Sequence, residues 1–167
     1  TFSQGINFRQ DDWQNVVSQA KAQKKLIFVD IYTTWCGPCK EMDRKTFTDI
    51  SVGDKFNARF INYKVDAEKG FGINLTKRYN VTSYPTCLFI DANENPVYKQ
   101  EGLLRAPDLL KEADMVLNNQ ANSKPLWTLD KLYNDGRRDS EFLNEYIGVR
   151  SLYSNIDNRD LVEEYVK

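Results

Sequence analysis

The chain contains no histidine, and this absence removes more chemistry than any residue present. A Cys–His nucleophilic pair and a histidine-based zinc site are both excluded within its 167 residues. Cysteine is scarce too. Three of them cannot form a four-thiolate site in one copy, and they are too few and too oddly spaced for a disulfide scaffold. No apolar run approaches the ~18 residues of a transmembrane helix, so no direct membrane insertion is expected of this chain. Charge of one sign is missing as well: 23 basic residues face 24 acidic ones, which leaves no footprint for nucleic acid or an anionic membrane. There is no signal-peptide pattern. The chain opens at Thr1 without an initiator Met and closes on Glu164-Tyr165-Val166-Lys167 without a helix stop, so the natural protein is expected to continue past both ends.

What is present reads as a folded globular protein, with 41% hydrophobic and 13% aromatic residues. The length allows one sizeable core and an appended element. Ile6-Asn7-Phe8 alternates like a short edge strand. Asp11 or Asp12 caps a helix reaching about Gln23, with Trp13, Val16, Val17 and Ala20 on one face. Leu26 to Tyr32 is apolar and β-prone, as a central strand should be. A long helix through Phe56 follows, in which Gly53 marks a kink or break. Arg59–Asp66 is a second strand, and Gly70–Tyr79 a short helix. Thr86–Asp91 is a third strand, a hairpin turn at Asn93–Pro96 returns Val97–Glu101, and Pro107–Asn118 is a closing amphipathic helix.

The fold class is therefore α/β: a central mixed sheet flanked by helices, with parallel crossovers first and a hairpin last. The expected division is a domain over 1–119, a polar linker over 120–124 and a helical extension over 125–167. In the extension, Leu126, Leu129, Leu132 and Tyr133 mark one helix ended by Asp135-Gly136. Asp139 starts a second helix bearing Phe142, Tyr146, Val149 and Leu152, and Asp157 caps a third.

The chemistry concentrates in Trp35-Cys36-Gly37-Pro38-Cys39, where the buried strand hands over to a helix. A C-x-x-C pair at such a junction reads as a dithiol/disulfide redox site needing no other cofactor. Cys36 falls at the helix N-terminus, where unpaired N–H groups and the helix dipole favour the thiolate. Pro38 suits the first turn, since its missing N–H costs nothing there.

These residues resemble the thioredoxin family over about Ile6 to Asn119. The likeness is carried by Trp35-Cys36-Gly37-Pro38-Cys39-Lys40, by Asp30 six residues before Cys36, by Tyr84-Pro85-Thr86 leading into a strand, and by Gly102 after the hairpin. The Phe28-to-Trp35 run, the long helix and the helical extension look closest to thioredoxin-like proteins of the bacterial cell envelope. These include the C-terminal domain of transmembrane thiol reductant carriers.

The resemblance implies a thioredoxin fold and a set of roles. Cys36 attacks a substrate disulfide, and Cys39, one turn further in and more buried, resolves the mixed disulfide. Asp30, buried beneath the motif, takes the proton of Cys39. Trp35, Gly37 and Pro38 shape the substrate groove. Pro85 is cis and sits beside the disulfide, with the backbone of Tyr84 and Thr86 available to a substrate chain. Gly37-Pro38 between the thiols resembles the reducing members. One departure concerns the Lys that many thioredoxins place near the buried Asp: Asn62 stands at that position, and Lys64 lies two residues on, on the same face. The sequence leaves open whether Lys64 reaches Asp30.

Cys87 reads as a small buried hydrophobe, with a regulatory thiol near Pro85 as the alternative. Asn74-Leu75-Thr76 and Asn80-Val81-Thr82 match a glycosylation pattern that carries no meaning in a bacterial host. The expected function is reduction of protein disulfides in the periplasm or cell envelope. Disulfide-containing proteins are the substrates, and an upstream thiol donor, such as a membrane reductant carrier, returns the electrons. The alternatives are a reductant for one client, such as apocytochrome c, and a redox-regulated binding module whose helical extension engages a partner.

Overall fold

The computed structural model describes residues 4–119, 126–151 and 158–166. Leu26–Tyr32 forms β1, and its first six residues are all buried, as strand burial on both faces requires. β1 lies inside a four-stranded sheet of order β2-β1-β3-β4, formed with β2 (Phe60–Asp66), β3 (Thr86–Ile90) and β4 (Pro96–Glu101). Side chains alternate across it. Ile27, Val29 and Ile31 join Trp13, Val16 and Ala20 of α1 (Trp13–Gln23) and Leu75 of α4 (Phe71–Arg78). Leu26 and Phe28 point the other way, to α3 (Ile50–Arg59) and α5 (Ala106–Asn119) through Val52, Phe56, Leu109, Ala113 and Val116. Phe28 meets Phe56 edge-on and Phe89 at a tilt, at centroid distances of 4.7 and 5.1 Å. Each such buried ring contributes roughly 2–3 kcal/mol. Asp30, on the same parity as Phe28, is the polar residue that this second face must accommodate.

Three elements differ from the sequence reading. The edge strand at 6–8 shrinks to a parallel bridge between Arg9 and Tyr63. The cause is competition for its backbone: Ile6 N–H donates to the Phe47 carbonyl and Asn7 N–H to Asn57 Oδ1, at 2.8 Å each, instead of to a strand.

The expected single helix after the motif is in fact three pieces: α2 (Gly37–Glu41), a π-helical turn (Met42–Thr46), and α3. The break falls at Asp49, whose carboxylate accepts the Val52 N–H and begins a new helix. Gly53 is no kink. It lies within α3, where a Cβ would stand 2.5 Å from the Gly5 carbonyl, so its role is to let two backbone segments touch.

The direction of β3 is the third difference. β1 and β2 are parallel, but β3 runs antiparallel to β1, and β4 antiparallel to β3. The chain re-enters the sheet at the end where β2 left it, with Thr86 opposite Ile31. That return brings Pro85 to the end of the sheet that carries Cys36.

The extension forms α6 (Leu126–Asn134), α7 (Ser140–Arg150) and α8 (Arg159–Tyr165). Asp139 caps α7 by accepting the Phe142 N–H, as its sequence implies. Leu129, Phe142, Leu143, Tyr146 and Leu161 form a small core of their own, and Tyr146 OH donates to Asp130 Oδ1 at 2.6 Å. The 120–124 linker, Leu152 and the Asp157 cap lie outside the described residues. Among the described residues, no helix is long and apolar enough to cross a membrane.

Candidate active site

Cys36 is the N-cap of α2, with extended backbone (φ −73°, ψ 110°), and its Sγ accepts the Cys39 N–H at 3.1 Å. A backbone N–H aimed at sulfur at a helix start favours the thiolate. Gly37 and Pro38 fill the first helical positions, where N–H groups have no intrahelical partner to lose. Cys36 and Cys39 are joined as a disulfide, with Cα atoms 5.3 Å apart. The expected contrast in burial between them is absent: Cys36 is 3% exposed and Cys39 2%. Accessibility therefore does not distinguish the two sulfurs, whereas the backbone N–H is directed at Cys36 Sγ alone of the two. The accessible surface beside them belongs to Trp35, Gly37 and Pro38.

Asp30 sits on β1 six residues earlier and is 1% exposed. Lys64 is its register partner on β2, and Lys64 Nζ donates to Asp30 Oδ2 at 2.8 Å. The same ammonium pairs with Asp43 of the π-helical turn. Tyr32, Phe47 and Phe8 surround it at 4.7, 5.4 and 5.5 Å. Burial pushes the Asp30 carboxyl up to about 6, although Lys64 pulls the other way. For Lys64, burial opposes the charge, but Asp30 and Asp43 outweigh it and hold the ammonium above its ordinary range. The second Asp30 oxygen, Oδ1, is buried without a protein hydrogen-bond partner. Asn62 lies opposite Phe28 rather than Asp30, and its side-chain amide donates to Asn57.

The Tyr84–Pro85 peptide bond is cis, as the resemblance implies. Thr86 is fully buried, its Oγ1 donates to the Ser83 carbonyl at 2.7 Å, and the Pro85 carbonyl accepts the Gly102 N–H at 2.8 Å. Trp35, 64% exposed, meets Tyr84 edge-on at 6.1 Å and donates through Nε1 to Glu68. The structure thus brings Trp35 and Tyr84 together at one end of the sheet. Cys87 is a fully buried free thiol opposite Asp30, and burial pushes its pKa well above the ordinary value. Among the described residues, no group of three His, Cys, Asp or Glu could hold a metal ion.

Asp43 and Glu68 are the residues that motif reading passed over, and the reach of Lys64 to Asp30, which the sequence left open, is made. Lys64 carried a signal, since period-two alternation from Asn62 places it on the same face. Asp43 carried none, because its approach depends on the π-helical turn.

Residues 13–117, well over half of the chain, match the Thioredoxin-like domain family. The chain is 38% identical over 102 residues to thiol:disulfide interchange protein DsbD of Tatumella citrea, covering 59% of this chain and 17% of that protein. It is 43% identical over 72 residues to thioredoxin-1 of Drosophila melanogaster, covering 43% of this chain and 63% of that one. The chain therefore spans less than two thirds of either curated relative. Among solved structures, a proposed disulphide-isomerase from Bacteroides thetaiotaomicron superimposes with a TM-score of 0.62 at 43% identity, covering 70% of this chain and 97% of that one. With a CxxC disulfide capping the helix after β1 on a four-stranded mixed sheet, the chain belongs to the thioredoxin-like family.

Proposed function

We propose that the chain is a thiol-disulfide oxidoreductase that reduces protein disulfides through Cys36 and Cys39. The observation that carries this reading is the Cys36–Cys39 disulfide at the start of α2, with Cys36 Sγ receiving a backbone N–H. In the reduced protein, the Cys36 thiolate attacks one sulfur of a substrate disulfide. The substrate S–S bond breaks, its other sulfur leaves as a thiol, and Cys36 holds a mixed disulfide. Cys39 then loses its proton to Asp30, whose pKa of about 6 suits proton exchange near neutrality. The Cys39 thiolate attacks Cys36 Sγ, the 36–39 disulfide closes and the second substrate thiol departs. Two electrons have passed to the substrate, and an upstream thiol donor returns the protein to its dithiol form.

The reducing direction rests on Gly37-Pro38 between the cysteines, since nothing there adds stabilisation of the kind that makes strong oxidants. The likeness to DsbD supports a cell-envelope or periplasmic setting and a membrane thiol reductant carrier as donor. The separate core of α6–α8 supports treating 125–167 as an appended helical unit. Insulin-disulfide reduction tests the activity: turnover by the wild type and none by Cys36→Ser are expected, and a wild type without turnover sinks the proposal. Equilibration with glutathione buffers tests the direction, and a potential near −120 mV would overturn it.

A further inference from the structure

The backbone of Leu104 is held at both ends by the π-helical turn that follows the disulfide helix. Its N–H donates to Met42 Sδ at 3.5 Å, and its carbonyl accepts the Thr46 hydroxyl at 2.7 Å. Met42, Thr46 and Leu104 are 0%, 3% and 8% exposed, so neither interaction competes with solvent. Met42 comes three residues after Cys39, and the turn is closed by Phe47 N–H bonding to the Met42 carbonyl at 2.9 Å. Two residues before Leu104, Gly102 takes up φ +94° and donates its N–H to the Pro85 carbonyl. A continuous linkage therefore runs from the disulfide helix through Met42 and Thr46 to Leu104, through Gly102 to Pro85, and from there into β3. The Thr46 hydroxyl is buried, and it directs its proton to the Leu104 carbonyl.

We infer that Thr46 and Met42 are positioning residues: by gripping the Leu104 peptide they hold the Pro85 segment at the spacing from the disulfide that a bound substrate strand requires. The inference rests on the proposed oxidoreductase function, because it assigns the backbone beside Pro85 to substrate. It separates positioning from reactivity. Both side chains commit their polar atoms to the Leu104 peptide rather than to Cys36 or Cys39, so losing the grip weakens protein-substrate binding and leaves the dithiol couple as it was. A bulky protein disulfide, which must pair with the Pro85 segment, feels the loss. A small aromatic disulfide, which needs only the cysteines, does not.

The decisive variants are Thr46→Val, which keeps the shape and removes the hydroxyl, and Thr46→Ser, which restores it. Met42→Leu removes the sulfur acceptor with nearly the same volume and gives a second test should Thr46→Val fold poorly. Amide exchange at Gly102, read by NMR on the oxidised protein, reports the linkage without any activity assay. Expected are a rise of roughly five-fold or more in Gly102 exchange for Thr46→Val, restoration by Thr46→Ser, and a several-fold higher KM for insulin. The 36–39 redox potential and the rate with 5,5′-dithiobis(2-nitrobenzoate) stay at wild-type values. Unchanged Gly102 exchange in both Thr46→Val and Met42→Leu overturns the inference, as does an equal loss of rate on both disulfides. If the wild type reduces no disulfide while Gly102 exchange still follows Thr46, the linkage stands and the oxidoreductase assignment falls.

Discussion

Lys64 Nζ stands 2.8 Å from Oδ2 of Asp30, directly across the parallel β1–β2 pairing. A buried carboxyl beside a cation is pulled two ways. Here desolvation wins, since the Asp30 pKa rises to about 6 rather than falling.

Asp30 should therefore lower stability as pH rises. Its ordinary value is 3.8 and its folded value about 6, so between these the folded state binds more protons than the unfolded one. Stability contributed by the neutral form is present below about pH 4 and is lost through pH 6. A two-unit shift amounts to on the order of 3 kcal/mol. Urea denaturation of Asp30→Asn is expected to show a variant about 1–3 kcal/mol more stable than wild type at pH 8, with the gap closing toward pH 4. A gap independent of pH refutes the assignment.

Lys64→Gln removes the cation that restrains this shift. The Asp30 titration should then move above 6, followed through its carboxyl carbon resonance across pH. Movement downward would contradict the pairing.

The two cysteines should trap differently. Cys39→Ser keeps the attacking thiol and lacks the resolving one, so it is expected to accumulate a mixed disulfide with substrate, seen by intact mass. Cys36→Ser should accumulate none. The reverse pattern exchanges their roles.

Cys87 should stay silent to thiol reagents in the folded, oxidised protein, because it is fully buried and its thiolate is disfavoured. Iodoacetamide is expected to add to one thiol after denaturation and to none before it. Rapid labelling of the native state would restore the regulatory alternative.

Gly53→Ala should cost about 1–3 kcal/mol in overpacking, because its Cβ would stand 2.5 Å from the Gly5 backbone. Gly5 itself has φ +99°, which limits its freedom to retreat. Thermal unfolding measures the loss, and a melting temperature equal to wild type would show that the contact yields freely.

The sequence by itself determined the covalent logic of the site. Cys36 and Cys39 at a strand-to-helix junction are a local pattern. So is the apolar run that buries β1 on both faces, and the parity that puts Asp30 on the face of Phe28. Local order also set the Asp12 and Asp139 caps, each of which accepts an N–H two or three residues on. Tertiary structure decided what depends on distance across the fold. The reversal of β3, which delivers Pro85 to the disulfide end, is set by its pairing with β1 more than fifty residues earlier. The same holds for the reach of Lys64 to Asp30 and Asp43. Motif spacing settles neither, although alternation along β2 put Lys64 on the right face, because each depends on contacts between segments separated by twenty residues or more in the chain.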